Sequence, residues 1–74
     1  MNLEEANKLW YNLKPIESVL FGYNDDVCII SGKYAGESAT IISLESLEPV
    51  TYLVELASGG GDIIITELEL EKSE

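Results

Sequence analysis

The side chains able to do chemistry lie close together in this chain: the paired carboxylates Asp25–Asp26, the thiol of Cys28, and the stretch "SGKYAGESATIIS" (31–43), where Lys33 and Tyr34 stand between Gly32 and Gly36. Paired carboxylates can share a proton or bind calcium. A thiol becomes a nucleophile where a neighbouring cation lowers its pKa. A lysine among glycines can cradle a phosphate. Each feature also has a plainer reading. "GYNDD" (22–26) has the composition of a turn and no EF-hand spacing. Cys28 sits in an apolar run, which predicts a buried, inert thiol. "GKYAG" lacks the length and the Lys-Ser/Thr ending of a P-loop. The plainer readings win: Gly36 is expected to turn the chain at positive φ, and Gly32 to let backbone approach a neighbouring strand closely.

Composition narrows the chemistry further. The chain has 74 residues, fourteen of them acidic, against four lysines (Lys8, Lys14, Lys33, Lys72), with no histidine and a net charge of −10. Without histidine the commonest general base near neutrality is missing, and without arginine there is no bidentate phosphate clamp. The sequence therefore predicts no enzyme, no cofactor and no metal site. A field this negative repels nucleic acid and anionic membranes and attracts basic proteins. The lone cysteine rules out an intramolecular disulfide. No stretch resembles a signal peptide or a membrane span, so a soluble cytoplasmic chain is expected. At this length a single domain, 1–74, is near the smallest size one apolar core can hold, although 46% of the residues are hydrophobic.

The elements that position these residues follow from periodicity. Residues 2–14 predict an amphipathic helix: Asn2 caps it, Glu4 and Glu5 suit its positive end, and Leu3, Ala6, Trp10 and Leu13 form one stripe. Pro15 should stop it. Residues 16–26 predict at most a short extended piece before a turn. "VCIIS" (27–31), "SATIISLE" (38–45), "VTYLVEL" (50–56) and "DIIIT" (62–66) read as strands. Gly59, Gly60 and Gly61 make a hairpin loop, and "ELELEKSE" a turn or short edge piece. Val50, Tyr52, Val54 and Leu56 alternate onto one face, whereas the other strands carry apolar residues on both faces. That predicts a cover for the outer face, supplied by the helix, a homodimer or another partner.

The run "DDVCIISGKYAGESATIISL" followed by "TYLVELASGGGDIIITELELE" resembles the KOW-type, SH3-like small β-barrel. Val27, Ile29, Gly32, Gly36 and Ile41 match its pattern of strand, glycine, loop, glycine, strand, while Ala39 replaces a common further glycine. The resemblance covers 24–71 and implies a mainly-β barrel of four or five strands, preceded here by the helix. "ELEL" falls where such barrels close with a short helical turn. Many KOW-type domains touch RNA or ribosomal partners, but only Lys33 is basic in this loop. Small acidic barrels also resemble immunity proteins that neutralise bacterial toxins. The expected role is thus non-catalytic binding of a basic protein, as an immunity protein or an accessory subunit, with an RNA- or ribosome-associated module as the alternative. Loop residues Asp25, Asp26, Tyr34 and Glu37 are the expected contacts, with Tyr23 divided between that role and the core.

Overall fold

Asn2 starts the helix as its type predicts: its side-chain oxygen accepts the Glu5 N–H at 2.8 Å. In the computed structural model, which describes residues 2–16 and 18–73, helix α1 spans Leu3–Tyr11 and buries Ala6 and Trp10. It ends before Pro15 and shorter than 2–14, because Leu13 adopts φ 59°. The Leu13 N–H donates to Trp10 O and the Lys14 N–H to Leu9 O. This is a Schellman stop, with leucine where glycine is usual.

The remaining elements are β1 (Asp26–Ile29), β2 (Ser38–Leu47), β3 (Val50–Leu56), β4 (Asp62–Thr66), a 3-10 turn (Glu67–Glu69) and β5 (Leu70–Lys72). They form one antiparallel sheet in the order β4-β3-β2-β1-β5. The expectation of a mainly-β chain with an N-terminal helix is met, and the 3-10 turn falls on "ELE". The sheet is not closed, however: β4 and β5 are its two edges. Among the described residues of 16–25 no strand forms, and β1 ends at Ile29 rather than at residue 31.

β2 explains why its sequence fails to alternate. Its pairing with β3 slips between Ile41 and Ser43 and again between Leu44 and Ser46, so Ile42 and Glu45 are bulge residues. Each extra residue resets the side-chain alternation. Ile41, Leu44 and Leu47, three apart, therefore all face inward, opposite Val54, Tyr52 and Val50. The bulges also bend the strand, which curls the sheet round its own core. That core comprises Val27, Ile29, Ala39, Ile41, Leu44, Tyr52, Val54, Leu56, Ile65 and Leu70, joined by Ala6, Trp10 and Phe21.

The helix therefore does not cover the outer face. It packs on the inner side, where Asn7 Nδ2 donates to Leu44 O and the Trp10 ring lies 6.5 Å from that of Tyr52. Cys28 points outward and is half-buried, not buried. Among the described residues no helix is long and apolar enough to cross a membrane.

Candidate functional site

Asn24 and Asp25 reach β2 through main-chain bonds, Asn24 N–H to Ile41 O and Ile41 N–H to Asp25 O, whereas Leu20, Phe21 and Gly22 before them join no ladder and rely on side chains for main-chain partners. Glu67 Oε2 accepts the Leu20 N–H at 2.9 Å. Tyr52 Oη accepts the Phe21 N–H at 3.2 Å and donates to the same Glu67 oxygen at 2.6 Å. Trp10 Nε1 donates to Phe21 O at 2.8 Å. Asp25 Oδ2 accepts the Gly22 N–H at 2.8 Å, and the Asp25 N–H returns to Gly22 O. Burial, and after it the hydrogen bond to the Glu67 carboxylate, push the Tyr52 phenol well above its ordinary range. The hydroxyl thus remains protonated and donates.

This pinned segment and the end of α1 enclose an open groove of about 260 Å³. Trp10, Leu13, Ile16, Val19, Leu20 and Phe21 supply its apolar walls, and among the described residues of the lining Lys14 is charged. Its lips are unusually wet for their chemistry: Leu13 is 71% and Leu20 75% exposed. Leu13 is also held in the left-handed region, which costs a residue with a Cβ about 1–2 kcal/mol relative to glycine. Tyr11 and Tyr23 flank the same end of the helix, edge-on to each other at 5.3 Å and packed against Trp10 at 5.0 and 5.9 Å. Both tyrosines are exposed. The arrangement offers an apolar slot with aromatic shoulders. A slot of this composition is chemically suited to an apolar group.

The residues expected as contacts fall in two places. Asp25 and Asp26 lie at the start of β1, and Tyr34 and Glu37 in the loop beyond its other end. Asp25 is committed to its turn, while Asp26 Oδ1 accepts the Thr40 hydroxyl at 3.2 Å. Glu37 Oε1 accepts the Ser58 hydroxyl at 2.9 Å, tying this loop to the glycine hairpin. Tyr34 packs partly into the core with Lys33 Nζ 5.5 Å from its ring centre. Tyr23 lies at the surface rather than in the core. Among the described residues no three His, Cys, Asp or Glu side chains are grouped to hold a metal ion.

Of the loop glycines, Gly36 (φ 93°) needs its conformation and has open space around it. Gly32 also takes positive φ, and the nearest atoms to a Cβ there belong to the Glu69 side chain, not to strand backbone as expected. The groove itself escaped the sequence reading. Its one signal is "PIESVLFG" (15–22), an apolar stretch with neither helical nor strand period. No family model, curated protein or solved structure matches this chain.

Proposed function

We propose that this chain is a non-catalytic binding domain of SH3-like, KOW-type architecture whose partner is a basic protein that inserts an apolar side chain between Leu13 and Leu20. The strand order with a 3-10 turn between the last two strands supports the SH3-like reading, and the bulges in β2 supply the curl such a barrel needs. The observation that carries the function is Leu13: an exposed leucine kept in a strained backbone conformation at the lip of an apolar slot. Strain of this kind is held by the surrounding structure and clusters at functional sites. The net charge of −10 would steer a cationic partner and speed its encounter. A basic toxin neutralised by an immunity protein has this chemistry, as does a basic subunit of a larger assembly.

Trp10 lines the slot and is the only tryptophan, so its emission reports occupancy. A peptide library with one central aromatic or aliphatic residue flanked by lysines is titrated at low salt. Binders should shift the Trp10 emission, weaken as salt screens the charges, and lose affinity at least tenfold with Leu20→Asp, a cost of about 1.4 kcal/mol. Leu13→Gly should bind less well while folding at least as stably. Peptides that bind equally well to Leu20→Asp, or none that move the emission, overturn the reading.

A further inference from the structure

The two edges of the sheet are treated differently. β5 is three residues long and carries the exposed charges Glu71 and Lys72, a common way of blunting an edge. β4 is five residues, pairs with β3 without a register break, and contains no proline, lysine or bulge. Its central residue, Ile64, is 64% exposed. The Leu56 N–H donates to Gly61 O and the Ala57 N–H to Ser38 O. By the alternation of an antiparallel ladder, Tyr52 and Val54 then face β4 with their main-chain groups, and Ile63 and Ile65 answer them. The main-chain groups of Asp62 and Ile64, and the Thr66 N–H, point away from the sheet.

We infer that this edge binds β4 of a second copy of the chain, antiparallel, about a two-fold axis between the two Ile64 residues. Three consequences of that pairing favour this occupant. A two-fold there makes Ile64 a hydrogen-bonded pair with itself, and each Thr66 N–H meets the Asp62 carbonyl of the other copy. The same register sets Asp62 opposite Thr66 rather than opposite another Asp62. The acidic end of each edge, where Glu55 flanks Asp62, thus meets the end where Thr51 flanks Thr66 and where the Glu67 carboxylate is turned back onto Leu20 and Tyr52. Finally, Ile64, Leu53 and Ser43 form one cross-strand row on the outer face, and the second copy extends it without interruption, shielding Ile64 and Leu53 by their equivalents. The remaining charge repels, so association strengthens as salt is added, the reverse of the trend for a basic partner.

Sedimentation at millimolar protein should show the mass doubling at about 1 M salt, where the Debye length is about 3 Å, and shifting toward monomer at low salt. Ile64→Lys should remain monomeric throughout with an unchanged circular dichroism spectrum. Cross-linking fixes the register in a Cys28→Ser background: Ile64→Cys should form a disulfide dimer under diamide, since opposed Cα atoms in such a pair lie about 5.5 Å apart. Asp62→Cys or Thr66→Cys alone should not cross-link, whereas the two mixed together should. A monomer under every condition, or self-cross-linking of Asp62→Cys as efficient as that of Ile64→Cys, overturns the inference. Leu20→Asp should leave sedimentation untouched, which separates this edge from the groove.

Discussion

Removing one oxygen from the core tests how residues 18–25 are held. Tyr52→Phe keeps the ring, which is fully buried, and deletes the hydroxyl that joins Phe21 to Glu67. The Phe21 N–H then loses its acceptor in a buried setting, a penalty of about 1–3 kcal/mol. The lost bond to Glu67 adds about 1 kcal/mol, since that half-buried carboxylate still accepts the Leu20 N–H and can take water. The total, about 2–4 kcal/mol, is a large share of the roughly 4–11 kcal/mol expected for a chain of this size. It should lower Tm by about 10–25 °C, read by circular dichroism. Tyr11→Phe serves as control: its exposed hydroxyl donates to Ile42 O at 3.3 Å, and its loss should cost under about 0.5 kcal/mol. A Tm for Tyr52→Phe within about 3 °C of the parent, under 1 kcal/mol on the same conversion, would refute the reasoning.

The same phenol makes stability depend on pH at the alkaline end. Its folded pKa is raised, so its contribution is complete below about 10, the unfolded value, and is lost above that as only the unfolded state ionises, at up to about 1.4 kcal/mol per pH unit; urea midpoints measured from pH 9 to 11 should fall less steeply in Tyr52→Phe. Gly36→Ala meets no steric neighbour yet must hold φ 93°, so it should cost about 1–2 kcal/mol of unfolding free energy. Asn2→Ala removes the acceptor for the Glu5 N–H and should destabilise by about 0.5–2 kcal/mol, with the loss visible as faster amide exchange in the first turn of α1.

How far the fold could be read in advance depended on where each segment's partners lie. The cap at Asn2 and the strand 50–56 announce themselves because their determinants are local or strictly periodic, and 62–66 does so by its run of β-branched residues after the glycine loop. The bulged strand misleads: Ile41, Leu44 and Leu47 repeat every third residue, a period that belongs to neither a flat strand nor a helix. The groove was least legible. Its defining segment draws its hydrogen bonds from Trp10, Tyr52 and Glu67, and the Leu20–Glu67 pair is 47 residues apart in sequence. Asp25 misled in the other direction, since a carboxylate beside another carboxylate looks available until its turn claims it.

The clasp on residues 20–22 has a kinetic consequence. Its anchors come from α1, β3 and the 3-10 turn, so it cannot close until all of these have assembled. Such late contacts contribute little to the barrier for folding and much to the barrier against unravelling. Tyr52→Phe should accordingly leave the refolding rate almost unchanged while the native molecule comes apart sooner. The amides of Leu20 and Phe21 then mark the point at which the chain has finished building itself.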